Sequence, residues 1–147
     1  MRPFLLCCAV AAFAGCAGGE QQEAAQEAAT LALADVAGKW SVAAMPEGSD
    51  SVLITTEVNA TATTEGWTQV LPGRDPFPLH VVVGGDSVVT HAGPYESVLR
   101  PGVMVTTENV MRLVNGMLEG HTVAHYSGEG VGADSVLRVR TLGRRVP

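Results

Sequence analysis

The dipeptide Asn115-Gly116 separates two long runs in which apolar and polar residues alternate, and few local features restrict a fold as tightly. Both residues tolerate the positive φ needed at the centre of a two-residue type I′ turn, so the flanking runs read as the arms of an antiparallel hairpin. Such a turn fixes the register: Val114 opposes Met117, Leu113 opposes Leu118, and Arg112 opposes Glu119. Side chains on a strand point alternately to opposite faces. Met111, Leu113, Leu118, Thr122, Ala124 and Tyr126 therefore share one face, and Arg112, Glu119, His121 and His125 share the other. The first set is the expected core face.

The same texture fills the chain from Gly38 onward. Runs rich in Val, Thr and aromatic residues at 38–45, 51–61, 66–71, 77–83, 87–91, 95–99, 103–114, 117–126 and 135–142 are separated by Gly, Pro, Asn and Asp. This spacing is that of an antiparallel all-β domain, and no crossover helix lies between the runs to support a parallel sheet. Gly84-Gly85-Asp86 reads as a second hairpin turn and Arg100-Pro101-Gly102 as a tight turn. Pro72, Pro76 and Pro78 around Gly73 would interrupt a ladder. An acid-Ser-Val phrase recurs at Asp50, Asp86, Glu96 and Asp134 with irregular spacing, as turn chemistry rather than a structural repeat. Trp40, Val42, Ala44, Val52, Ile54, Thr56, Val58, Val81 and Val83 are expected to face inward. So are Leu137, Val139 and Thr141, with Arg138 and Arg140 outside. The expected fold is a small antiparallel meander over residues 38–147, a closed or nearly closed barrel of eight or nine strands.

Residues 1–37 differ in composition. Arg2 precedes an apolar stretch over 4–13, far short of the roughly 20 residues that cross a bilayer as a helix. Ala14-Gly15-Cys16 comes next and resembles the lipobox of bacterial lipoproteins. The resemblance implies a signal peptide over 1–15, diacylglycerol and acyl chains (such as palmitate) on Cys16, and, with Ala17 next, the outer membrane. Cys7 and Cys8 would leave with the signal peptide, so Cys16 would be the sole remaining cysteine and no internal disulfide could form. Each buried methylene of such chains contributes about 0.8 kcal/mol, which makes attachment by several chains effectively permanent. Residues 16–37 carry Glu20, Glu23, Glu27 and Asp35 among strong helix formers, with only Leu31, Leu33 and Val36 for apolar contact. They read as a solvated, partly helical tether.

Charge and motif exclude several functions. Nine Lys and Arg against 15 Asp and Glu give a net charge of -6, which leaves no basic surplus for nucleic-acid phosphates. No Gly-x-Ser-x-Gly elbow or phosphate loop is present. His121 and His125 share a strand face but stand roughly 13 Å apart, too far for one metal ion. His80 and His91 flank the Gly84-Gly85 turn at matching offsets and are expected to face each other, two ligands where a metal site needs more. No cofactor, metal site or catalytic residue is expected.

Gly38-Lys39-Trp40 at the start of the first run resembles the Gly-x-Trp motif of lipocalins and related calycin barrels. The resemblance implies that Trp40 packs at the closed end of a barrel with an arginine after the last strand, Arg144 or Arg145, lying across its ring. The Thr-Asp-Tyr signature of core lipocalins has no counterpart; the remainder is similar to β-rich lipoproteins of environmental bacteria. The two resemblances together imply a non-catalytic, lipid-anchored envelope protein that binds a small apolar ligand through the open barrel end. Tyr95, Val103, Met104 and Val105, with Gly93 and Pro94, are the candidate rim. The alternative is a structural lipoprotein whose filled barrel contacts another envelope protein, on the periplasmic or the outer surface.

Overall fold

The computed structural model describes residues 30–147; the expected signal peptide over 1–15, Cys16 and most of the expected tether over 16–37 lie outside them. A single helical turn, α1 (Leu33–Val36), is followed by nine antiparallel strands: β1 (Gly38–Pro46), β2 (Ile54–Ala60), β3 (Thr68–Val70), β4 (Phe77–Pro78), β5 (His80–Gly84), β6 (Ser87–Glu96), β7 (Met104–Val114), β8 (Met117–Ser127) and β9 (Val136–Arg145). They form one sheet in the order β4-β3-β2-β1-β9-β8-β7-β6-β5. Its two margins, β4 and β5, are consecutive pieces of one extended run separated only by Leu79. Phe77 and Pro78 pair with β3, the Leu79 amide donates to the Trp67 carbonyl at 2.9 Å, and from His80 the chain pairs with β6. The sheet thus curls into a nearly closed up-and-down barrel whose seam is bridged by the chain itself. Counted with 77–84 as one strand, the barrel has eight.

The turns act as their residues dictate. Asn115 and Gly116 have φ of 50° and 79°, and Val114, Leu113 and Arg112 pair with Met117, Leu118 and Glu119. Gly84 pairs with Ser87 across the second hairpin, and Val103 donates to the Arg100 carbonyl across Pro101-Gly102. The run at 87–91 and the start of the run at 95–99 are one strand, β6, because a bulge between Ala92 and Tyr95, holding the cis Gly93-Pro94 bond, absorbs the proline without ending the ladder; residues 97–99 lie in the loop that follows. Val52 corrects the inward assignment: it lies in the loop before β2 and is 54% exposed. The four-residue spacing to Thr56 continues alternation past the point where pairing stops.

The lumen is solid at one end. Trp40, Trp67, Val88, Met111 and Leu118 are fully buried there beside Val58 and Val81. Residues 31–37, expected within the tether, pack on this end: Leu31 and Leu33 contact the core, and Val36 is fully buried. The Leu31 amide donates to the Gly85 carbonyl at 2.9 Å and the Trp40 indole to the Val36 carbonyl at 2.8 Å. Arg145 completes the seal. Its guanidinium lies 4.4 Å from the centre of the Trp40 ring and donates to the carbonyls of Ala37 and Asp35. The arginine over Trp40 is therefore Arg145 and not Arg144. Arg145 is the cross-strand partner of Trp40, whereas Arg144 pairs with Ser41 and is carried to the outer face by alternation.

Two consequences can be measured. Gly120 faces inward opposite Met111, and an added Cβ would collide with the Val110 carbonyl oxygen and lie 2.9 Å from the Met111 Cα. Gly120→Ala is expected to lower stability by about 1–3 kcal/mol in urea denaturation, the range for overpacking a filled core. Arg145→Ala leaves two carbonyls without their donor and uncovers Trp40, for an expected loss of about 2 kcal/mol, while Arg144→Ala stays within about 0.5 kcal/mol of the parent.

Candidate functional site

Every strand running away from the sealed end contributes inward residues to a cavity that opens at the other. β1, β3, β6 and β8 run toward this mouth, so the loops at 47–53, 71–76, 97–103 and 128–135 surround it. The cavity measures about 100 Å³, and about 840 Å³ when all space out to the solvent at its mouth is included. The smaller figure is the one to set against a ligand. Sites for drug-sized molecules run to about 300–1,000 Å³, so an occupant here is smaller, on the scale of one ring or a few carbons. Among the described residues no Asp, Glu, Lys, Arg or His lines it.

The wall is unevenly divided. Val42, Val58 and Leu79 give one side of the floor an apolar surface. On the opposite side, Thr90, Asn109, Thr122 and Thr141 come from the consecutive strands β6, β7, β8 and β9. Thr90 and Thr122 are the register partners of Asn109 on either flank, and the Thr141 hydroxyl donates to the Asn109 Oδ1 at 3.3 Å. A separate polar pair stands on β2 and β3, where the Gln69 Nε2 donates to the Thr56 hydroxyl at 3.3 Å. Thr107 and Tyr95 lie nearer the mouth.

The mouth is ordered by side chains that cross between loops. Arg100, in the 97–103 loop, donates to the Asp134 carbonyl at 2.6 Å and stacks 4.2 Å from the centre of the Tyr126 ring. Arg74 donates to the Glu96 carbonyl from the 71–76 loop. Ser97 holds its own loop, its Oγ accepting from the amides of Leu99 at 3.1 Å and Arg100 at 3.0 Å. Tyr95 sits inside this frame with its ring 5.0 Å from that of Phe77. Around the opening stand Val52, Leu53, Leu99, Met104 and Val136, all exposed. Most of the exposed large apolar side chains of the described residues thus collect at one end of the barrel.

Of the residues expected at the rim, Tyr95 and Val105 line the cavity. Val103 packs instead against the small cluster of Val105, Ala124 and Tyr126. Met104 does not line the cavity: with Val105 inside, alternation sends Met104 to the outer surface, where it is 40% exposed. Gly93 and Pro94 are exposed in the bulge and also outside the lining. Hydrophobicity does not mark Thr90 and Asn109 as interior, although counting by twos from Met111 through Asn109 and Thr107 to Val105 traces the inward row on which Asn109 stands.

His121 and His125 are exposed on the outer face. His80 and His91 are register partners with ring centres 6.1 Å apart, and the Glu108 carboxylate lies 3.7 Å from the His91 Nδ1. Among the described residues no group of three His, Cys, Asp or Glu side chains is arranged to hold a metal ion. The outer face also carries the exposed pairs Lys39–Glu57 at 2.8 Å, Arg112–Asp86 at 3.2 Å and Arg140–Asp50 at 2.7 Å. Solvent screening leaves each such pair a small contribution.

Burial pushes the Tyr95 phenol above its usual 10.0, with the Thr107 hydroxyl acting in the opposite direction. The folded state thus favours the neutral phenol. Its contribution to stability is complete below the unfolded value and is lost as pH rises through the folded one. The urea midpoint is expected to fall above pH about 10, and Tyr95→Phe is expected to reduce that fall.

No known protein family, curated protein or solved structure matches the chain.

Proposed function

We propose that the barrel is a non-catalytic binding module of the bacterial cell envelope, held to the outer membrane through lipid on Cys16, that takes a small uncharged molecule into its open half. One observation carries the reading: the interior holds a solvent-open cavity lined wholly by uncharged side chains above a sealed floor. An ion entering it would lose hydration without meeting a counter-charge, a loss of several kcal/mol, whereas a neutral molecule exchanges water for apolar wall. The resemblance of Gly38-Lys39-Trp40 to lipocalins supports the same assignment, with Trp40 buried beneath Arg145.

The lipid, and not the barrel, is the membrane contact in this reading. Lys39, Glu57, Glu108, Arg112, Glu119 and Arg138 occupy outward positions, where a lipid-facing barrel carries an apolar band. Among the described residues no helix is long and apolar enough to cross a membrane. The net charge of -6 supports a module without a nucleic-acid partner. A second reading, in which the domain contacts another envelope protein, is favoured by the apolar rim of Val52, Leu53, Leu99, Met104 and Val136.

Native mass spectrometry of the chain released from its membrane is expected to show a retained neutral adduct from at least one host. The bare protein mass from several hosts, together with a stable one-to-one complex with another envelope protein, would replace the first reading by the second. Metabolic labelling with a palmitate analogue is expected to mark the parent chain and to disappear in Cys16→Ala. Labelling that survives the substitution removes the anchor from the proposal.

A further inference from the structure

The polar side of the cavity floor is more specific than a non-polar carrier requires. Thr90, Asn109, Thr122 and Thr141 each stand one alternation nearer the mouth than a residue of the sealed end, namely Val88, Met111, Gly120 and Gly143. They are therefore the last side chains that an occupant reaches. An apolar occupant resting on this floor would strip water from hydroxyl and amide groups and return nothing, and each group so stranded weakens binding. Only Asn109 and Thr141 bond to each other within the arc. Among the described residues no fully enclosed side-chain polar atom lacks a partner. The hydroxyls of Thr90 and Thr122, which flank Asn109 in register, are accordingly open to the cavity.

The arc has both signs of hydrogen-bonding capacity. A threonine hydroxyl donates once and accepts twice, and an amide side chain adds two donors. With the Asn109 Oδ1 engaged by Thr141, its amide nitrogen remains a donor beside two hydroxyls. A hydroxyl, carbonyl or ether group is matched by this set. A carboxylate or ammonium group is not, since the lining offers no opposite charge. The other floor residues, Val42, Val58 and Leu79, and the aromatic mouth at Tyr95 and Tyr126 suit a hydrocarbon body.

We propose that the ligand class is a small neutral amphiphile bound head-first, its hydroxyl or carbonyl oxygen at the Thr90–Asn109–Thr122 arc and its apolar body toward Tyr95 and the mouth. The assignment rests on the carrier reading and narrows it: Asn109 and Thr122 select the head group, while the apolar wall accepts the tail. It also explains why a barrel that fills its sealed end with apolar side chains places four polar residues together directly above them. The Phe77–Tyr95 stack and the Arg100–Tyr126 contact then limit the width of the body that can enter behind the head.

The test compares three probes of one shape, benzyl alcohol, toluene and benzoate, against the full chain in lipid nanodiscs, with free probe concentrations fixed by partition controls. Methyl chemical shifts of Val105 and Val139, on the cavity wall, report occupancy. Benzyl alcohol and toluene are expected to shift both methyls and benzoate neither. Thr122→Val, nearly unchanged in shape, is expected to weaken benzyl alcohol about fivefold while toluene binds as well or better; Asn109→Leu is expected to act in the same sense. If Thr122→Val weakens both neutral probes equally, or neither, or if benzoate binds as well as the alcohol, head-group selection is overturned while the carrier reading stands. If no probe moves either methyl although a neutral adduct survives native mass spectrometry, the size and chemistry assigned here are wrong. If no probe binds and no adduct is carried, the carrier reading falls as well.

Discussion

A curved sheet has two margins, and in this barrel both belong to one short stretch of chain. Residues 77–84 pair with β3 on one side before Leu79 and with β6 on the other side after it. The change of partner at Leu79 is what turns a nine-stranded ribbon into a vessel with an inside. Once the ribbon is curled, the period-two pattern of every strand becomes a statement about volume: one row must fill or line the lumen and the other must meet water. The two tryptophans, Met111 and Leu118 use up the space at one end, and Gly120 and Gly143 on neighbouring strands make that close packing feasible. Both tryptophans stand at the sealed end, and the cavity persists at the other. It results from side-chain size as much as from strand count.

The fold was readable because its strongest signals are local. Asn115-Gly116 and Gly84-Gly85-Asp86 specify turns by backbone conformation, and each turn propagates register along both arms, which is why Leu113, Leu118 and the outward Arg112 and Glu119 fall where alternation puts them. The failures are as local. Pro94 looks like a strand end, yet a bulge accommodates it within β6. Arg144 and Arg145 are adjacent and chemically equal, and only the pairing of Trp40 with Arg145 separates them. Val52 continues an alternating pattern that the sheet does not use. Leu31, Leu33 and Val36 are too sparse to show an amphipathic stripe, but one helical turn suffices to cover the barrel end.

The cavity was harder to read than the core. Sequence patterning finds interior positions by their hydrophobicity, and Thr90, Thr107 and Asn109 are interior positions of the opposite character. Met104 illustrates the converse error: an apolar residue beside the mouth that points outward. Which end of the barrel is filled is likewise a tertiary property. Trp67 lies within a run that reads as an ordinary strand, and its burial at the sealed end depends on the 61–67 loop folding back below β2 and β3.

Residues 31–37 and the end of β9 both lie at the sealed pole. Arg145 bonds to the backbone of residues 35 and 37, and the Val146 amide donates to the Lys39 carbonyl at 2.8 Å. Both attachment points therefore lie at the pole opposite the opening. A fluorophore, affinity handle or partner domain fused after Pro147 would hang from the blind pole, leaving traffic through the aperture unobstructed. Ring-joining the two ends and cutting instead in the 128–135 loop would move that freedom to the aperture and loosen the Arg100 brace that spans it.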